Sequence, residues 1–364
     1  MRGRGWLSDW FAATLSPATR GDSSSLPKSA FGCKMRRQWG CVQIMKAGRN
    51  KTIDFDTQSD EGRRYLSRCI CLSQNASPLS IEQVENKIIL GDCLKVMPFL
   101  PRGFVDLLVA DPPYNMDKDF SGERFQKMNA KEYEAYTERW VCAAEPLLAR
   151  NASVYVCSEW RSSSAVEAVL ERHFFVRNRI TWQREKGRGS ESNWKNSMED
   201  IWFATKGKDY VFNADAVKVR RRVIAPYRLE GKPKDWQETS EGNFRDSYPS
   251  NFWDDICVPY WSMAENTAHP TQKSEKLLAK LILASSNEGD VVFDPFLGSG
   301  TTAAAAQKLS RRFVGIEQNP QYCAWAQKRL EQACADKTIQ GFADGVFWER
   351  NTAALQGKHR GGTT

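Results

Sequence analysis

Between Asp290 and Glu317 the chain spells a strand, a glycine-rich turn, a helix and a second strand, and this unit constrains the fold more than any other segment. Asp290–Phe293 ends in an apolar run of strand length, Leu297-Gly298-Ser299-Gly300-Thr301-Thr302 follows, an alanine-rich helix is predicted from Thr301 to Leu309, and Phe313–Ile316 is again a strand. Two strands joined by a helix run parallel, and a parallel sheet is covered on both faces. The glycines permit a sharp turn that brings backbone N–H groups and a helix N-terminus against a ligand. Glu317 ends the second strand, where a carboxylate can accept both hydroxyls of a ribose. Gly298-x-Gly300-x-x-Ala303 also passes as a dinucleotide fingerprint, while the absence of Lys excludes a Walker phosphate loop. Asp294-Pro295-Phe296 tips the balance: an acid and an aromatic ring at the strand end suit an adenosyl ligand bearing a cation, whereas a pyrophosphate would meet a negative charge. Core packing is the plain alternative for Phe296.

A second feature lies far upstream. The apolar run Val105–Ala110 ends in Asp111-Pro112-Pro113-Tyr114, a carboxylate, two rigid prolines and an aromatic ring at the exit of a strand. Such an edge can hold a flat, amino-bearing ring by stacking and hydrogen bonds. A structural acid beside two prolines is the plain alternative for Asp111.

The intervening text supports an α/β arrangement. Lys87–Leu90 reads as a strand ending in a turn at Gly91-Asp92, Ser153–Cys157 as another, and Asn129 with Glu132 as a capping box for a helix carrying Tyr133, Tyr136, Trp140, Ala144 and Leu147. From Ser274 a helix places Leu277, Leu278, Leu281 and Ile282 on one face. Between Arg179 and Asn266 the pattern loosens into short strands and loops, an irregular insertion. Six stretches follow: a basic, disordered tail over 1–50, an extension over 51–85, one half of the main domain over 86–178, the insertion over 179–266, the glycine-turn half over 267–333, and a polar tail over 334–364.

Charge is uneven along the 364 residues. Residues 1–51 hold ten Lys/Arg against Asp9 and Asp22, which accounts for the whole formal net charge of +8. Their Arg, Ser and Gly content resembles a transit peptide, and Met35 and Met45 offer later starts, so no function is built on them. Residues 179–234 carry fourteen Lys/Arg against seven Asp/Glu, interleaved with Trp182, Trp194, Trp202, Tyr210 and Tyr227. That is the electrostatic footprint of a nucleic-acid surface, with a solvated basic face as the alternative. Arg184, Lys186, Arg188, Arg220, Arg221 and Arg222 are its candidate DNA contacts. No apolar stretch reaches the length of a membrane span. The ten cysteines are scattered without a C-x-x-C pair and the three histidines stand apart, which predicts reduced thiols, no metal site and a cytoplasmic protein.

Taken together, Asp111–Tyr114 first, a variable basic stretch next, then His269-Pro270-Thr271-Gln272-Lys273 and the glycine turn, resemble the permuted β class of DNA amino-methyltransferases of restriction–modification systems. The likeness spans about Lys87 to Leu330. It implies a Rossmann-like S-adenosylmethionine-dependent fold with a mostly parallel seven-stranded sheet, in which the Arg179–Asn266 stretch takes the place of the target-recognition region. It also implies cofactor contacts from Asp92, His269, Thr271, Lys273, Asp294, Phe296, Gly298, Gly300, Thr301 and Glu317. Asp92 would lie near the adenine, although an Asp in a turn equally suits a local cap. The His269–Lys273 segment would pack beside the methionine moiety. Asp111, Pro112, Pro113 and Tyr114 would be the catalytic set: a flipped base stacks on Tyr114 while the Asp111 carboxylate and the Pro112 carbonyl accept the two amine hydrogens.

The implied partner is double-stranded DNA; a cognate restriction endonuclease and a homodimer are compatible with the resemblance. Family members with Asp before Pro-Pro-Tyr mostly resemble adenine-N6 enzymes and those with Ser there cytosine-N4 enzymes, so adenine is expected here. An NAD-dependent oxidoreductase would tolerate the glycine turn but leaves Asp111–Tyr114 unexplained. A non-catalytic DNA-binding protein is disfavoured because every residue the transfer needs is present, and RNA or protein amino-methyltransferases usually show the reverse motif order.

Overall fold

The computed structural model describes residues 50–350, apart from 74–76, 121, 185–190, 224–226 and 240–241. The basic N-terminal tail, Lys186 and Arg188 lie outside the described residues. In chain order the strands are β1 (Ile70–Cys71), β2 (Lys87–Leu90), β3 (Val105–Ala110), β4 (Leu148–Ser158), β5 (Phe175–Gln183), β6 (Met198–Thr205), β7 (Val219–Arg222), β8 (Gln237–Thr239), β9 (Gly242–Ser247), β10 (Phe252–Trp253), β11 (Val291–Asp294), β12 (Arg312–Glu317), β13 (Phe342–Ala343) and β14 (Val346–Trp348). The longer helices are α1 (Asp60–Leu66), α2 (Ala130–Ala144), α3 (Ser163–His173), α4 (Glu275–Ser285), α5 (Thr301–Lys308) and α6 (Pro320–Ala335). Two small hairpins, at 118–125 and 228–233, stand outside the main sheets.

The central sheet runs β1-β2-β12-β11-β3-β4-β6-β5-β10. Its seven long strands match the expected number, and the two-residue strands β1 and β10 extend the edges. All adjacent pairs are parallel except those made by β6, which runs against both β4 and β5. The β3 sequence explains the layering. Val105 and Leu108 pack into one apolar cluster with Trp140 and Val141 of α2 and Leu170 of α3. Leu107 and Val109 pack into the opposite one with Leu277 and Leu281 of α4 and Ala306 of α5. Each such buried side chain contributes about 1.5–3 kcal/mol of transfer free energy. The capping box at α2 forms as the sequence predicts: Glu132 N donates to Asn129 Oδ1 and Asn129 N to Glu132 Oε2, both at 3.0 Å.

Three features differ from the sequence reading. The insertion is more regular than expected, for β7, β8 and β9 join a five-stranded sheet in the order β8-β9-β7-β14-β13. Two of those strands come from beyond Cys334, the stretch read as a polar tail, and Phe347 and Trp348 are buried there. The two tail strands are only two and three residues long and the insertion strands are interrupted by charged residues, so neither stretch shows the alternation that betrays a longer strand. Finally, α4 buries nearly its whole circumference rather than one face, including Lys276 and Lys280. Both ammonium groups reach Asp255, at 2.9 and 2.8 Å, so the buried cations are paired. The N-terminal extension is tied down as well, with the buried Tyr65 of α1 donating its hydroxyl to Glu331 of α6 at 2.8 Å. Among the described residues no helix is long and apolar enough to cross a membrane.

Candidate active site

Chain direction places the two motifs side by side. From β11 the chain crosses to β12, whereas from β3 it crosses to β4 on the other side, so the C-terminal ends of adjacent β11 and β3 flank a topological switch point. Asp294 ends β11 and Asp111 follows β3. A cavity of about 500 Å³ opens there, within the range of small-molecule sites.

On the β11 side, the turn is built around two left-handed glycines, Gly298 at φ 55° and Gly300 at φ 84°. They do different work. A Cβ on Gly298 would come within 3.2 Å of His269 Nε2 on the cavity wall, whereas one on Gly300 would sit 2.6 Å from the Ala326 Cβ of α6. Gly300, expected as a cofactor contact, therefore serves the close approach of α5 to α6 and does not line the cavity. Glu317 receives Gly298 N on Oε2 and Asn319 N on Oε1, each at 2.8 Å, which fixes its carboxylate at the cavity edge. Asp294 is buried and accepts from Thr302 Oγ1 at 2.6 Å and Phe296 N at 2.9 Å. Burial pushes its pKa up to about 7. Phe296 lines the cavity with its ring edge-on to Trp140, the centroids 5.4 Å apart.

Asp92 also lines the cavity, and at the same time caps the short helix Cys93–Val96 by accepting Leu94 N at 3.0 Å. The local cap is thus formed, and the same residue faces the cavity. His269 and Thr271 line the same space, and Thr271 N donates to His269 Nδ1 at 3.3 Å. Burial, with Lys273 and Arg329 nearby, lowers the His269 pKa to about 3, so the ring is neutral. Thr301 lines the cavity and ties the turn to the preceding segment, its hydroxyl donating to the Lys273 carbonyl at 3.1 Å.

Lys273 lines the same cavity. Its ammonium lies 2.6 Å from Asp111 Oδ2, 3.0 Å from the Tyr114 hydroxyl and 3.3 Å from Glu199 Oε2, contacts the resemblance did not imply. It directly precedes Ser274, the N-cap of α4, where the helix dipole disfavours a cation, so the acids hold it there. Against the cost of burial, Asp111 and Glu199 raise its pKa further and keep it charged. Burial raises the Asp111 pKa, and Lys273 opposes that rise. The Tyr114 hydroxyl lies 3.0 Å from Asp111 Oδ1 and 3.0 Å from Glu199 Oε2. Pro112 and Pro113 line the wall, and Tyr133 donates to the Pro113 carbonyl at 3.1 Å, which anchors the turn.

Glu199 is the site residue that sequence reasoning missed. It lies on β6, is 3% exposed, and its other oxygen is bonded to Arg184. Against burial, Lys273 and Arg184 hold its pKa below the usual carboxylate range. A signal existed: Glu199-Asp200 interrupts an otherwise apolar strand, and a buried acid in a strand needs a charged partner.

Six of the twelve described Lys/Arg of the basic stretch meet acids. Arg184, expected to contact DNA, pairs with Glu199 and lines the cavity. Arg220 makes a two-pronged pair with Asp246, both contacts at 2.8 Å, and Arg221 reaches Asp254 and Glu349. Arg222 is exposed on β7. These three are therefore not a common cationic face: alternate positions on a strand point to opposite sides, and two of the three meet acids. Trp194, 93% exposed, sits on the loop between β5 and β6 whose base is the Arg184–Glu199 pair.

The fold and this cavity define an α/β methyltransferase with the glycine turn following the Asp111–Tyr114 motif. A family model described as DNA methylase, of the N6/N4 type, matches residues 105–328, and the chain belongs to that family. It is similar to the type II methyltransferase M.HpaI of Haemophilus parainfluenzae, 32% identical over 251 residues that cover 68% of this chain and 75% of the relative. It is also similar to the DNA adenine methyltransferase YhdJ of Escherichia coli (strain K12), 33% identical over 253 residues, 68% of this chain and 83% of that protein. Among solved structures, the PvuII DNA methyltransferase (cytosine-N4-specific) superposes with a TM-score of 0.52 at 17% identity, over 68% of this chain and 90% of the other, a likeness of fold alone.

Proposed function

We propose that the protein methylates the N6 amine of adenine in double-stranded DNA, at a base turned out of the duplex into the cavity. The observation that carries this reading is the placement of the Asp111 carboxylate one strand away from the glycine turn, on the wall of one cavity. The residues fit S-adenosylmethionine: the Gly298 cradle, the Phe296 ring, the Glu317 carboxylate for a ribose and the Asp294 carboxyl for a cationic centre. When bound it supplies a methyl group on an electrophilic sulfonium.

The chain's own residues must do the rest. The lone pair of an aromatic amine is delocalised into its ring, so catalysis has to localise it. Asp111 and the Pro112 carbonyl accept the amine hydrogens, Tyr114 provides an aromatic wall, and the nitrogen then presents its lone pair in line with the methyl carbon. Transfer from a bound sulfonium would leave the nitrogen with one proton to lose. Asp111, its pKa raised by burial, would take it. Aspartate at the first motif position and the likeness to YhdJ both support adenine over cytosine. Trp194, Arg222 and, outside the described residues, Lys186 and Arg188 are the DNA contacts of this reading.

The test is direct. DNA from cells expressing the chain, hydrolysed to nucleosides, should contain N6-methyladenine at one sequence context. N4-methylcytosine in its place would refute the substrate while leaving the fold intact.

A further inference from the structure

Both oxygens of Asp111 are occupied before any base arrives, Oδ2 by Lys273 Nζ at 2.6 Å and Oδ1 by the Tyr114 hydroxyl at 3.0 Å. Each oxygen can accept a second hydrogen bond, but an amine received there with Lys273 in place would develop its positive charge beside an ammonium. Lys273 is 7% exposed, and an ammonium so buried does not stand without a counter-charge. Glu199 supplies one: its Oε2 is already 3.3 Å from Lys273 Nζ, and the carboxylate is held from the other side by Arg184. Two carboxylates thus bracket one cation, and only one of them lies at the end of β3 beside the glycine turn.

We propose that Glu199 is a positioning residue that takes over the Lys273 ammonium when the target amine docks on Asp111. The inference rests on the reading of Asp111 as the amine's acceptor. With Lys273 drawn to Glu199, Asp111 Oδ2 is freed for the amine, and the cation withdraws from the nitrogen on which positive charge develops. Arg184 keeps Glu199 from following the cation toward Asp111. The cluster of Asp111, Glu199, Lys273 and Arg184 is neutral overall in either arrangement, so the exchange moves no net charge into a low-dielectric site.

The experiment uses the full chain, S-adenosylmethionine and an oligonucleotide carrying the methylated sequence, with either adenine or unsubstituted purine at the target. Glu199→Gln should slow single-turnover methylation on the order of 100-fold, as for a broken buried charge pair. Binding of cofactor, and of the purine DNA that has no amine to dock, should stay within threefold of the parent. A purely structural Glu199 would weaken both DNAs alike, and that result overturns the proposal, as does a rate within threefold of the parent. Lys273→Met removes the blocking cation, so in that background adding Glu199→Gln should change the rate less than threefold. A larger change there overturns the proposal, and this comparison stands even where Glu199→Gln alone folds poorly. An Asp111→Ala variant that kept the parental rate would sink the reading of Asp111 itself, an outcome separate from all of these.

Discussion

Lys273 Nζ lies 2.6 Å from Asp111 Oδ2, although the two residues are 162 positions apart in sequence. The contact joins the segment that leads into α4 to the turn that leaves β3. It makes Asp111 a paired carboxylate inside a cavity rather than an isolated acid at a strand end, and it links the two halves of the site through one ion pair.

Asp111→Ala should abolish methyl transfer while leaving cofactor affinity within a few-fold. Transfer of a labelled methyl group to DNA and calorimetric titration of S-adenosylmethionine check the two halves of this statement. Because the change also strips Lys273 of a partner, a loss of stability on the order of 3 kcal/mol is expected, moderated by Glu199, which remains as counter-charge.

Gly298→Ala and Gly300→Ala should fail in different ways. Both positions are left-handed, which costs a Cβ-bearing residue about 1–2 kcal/mol. At Gly298 the new methyl presses on His269 in the cavity wall, so cofactor affinity should fall by tenfold or more. At Gly300 it collides with Ala326 of α6, so the melting temperature should drop well beyond that of the Gly298 variant. Equal losses of stability and affinity in the two would contradict the division of roles.

Asp294 should make cofactor binding pH-dependent near neutrality. With its pKa pushed up to about 7 by burial, the carboxyl is protonated below that value and cannot complement a cationic ligand. Affinity for S-adenosylmethionine should therefore fall as pH drops through about 7, and Asp294→Asn should flatten that dependence. The stability linkage has the opposite sense. Between the ordinary 3.8 and about 7 the folded chain retains a proton that the unfolded chain releases, so this group's contribution to stability is lost as pH rises through that window. Thermal melts of the parent and Asp294→Asn across pH 4 to 8 measure it.

Arg220→Gln should lower the melting temperature and leave the salt dependence of DNA binding unchanged, because Arg220 is committed to Asp246. The pair is partly buried, so a cost of about 1 kcal/mol is expected, a few degrees of melting temperature. Trp194→Ala should do the reverse, weakening DNA binding with no change in the melt. A flatter salt slope for Arg220→Gln would return that residue to the DNA surface.

The sequence by itself determined the elements and their character: the strands at Lys87–Leu90 and Val105–Ala110, the strand read as Asp290–Phe293 and found one residue later at Val291–Asp294, the capped helix α2, and the glycine turn before α5. These are local properties, written in apolar periodicity, caps and turn residues. Their order along the chain was enough to place Asp111 and the glycine turn in one site, since parallel strands present their C-terminal ends on one edge. Only the tertiary structure decided which charges meet. Glu199 joins Lys273 because β6 runs antiparallel beside β4, a pairing between distant segments that no local pattern records. Arg220 is neutralised because β9 folds back along β7, and Gly300 serves helix packing because α6 crosses the turn at that point. Charge counted along a chain cannot reveal such pairings. Burial and partner are fixed by the sheet order, and they decide whether a basic residue faces DNA or an acid.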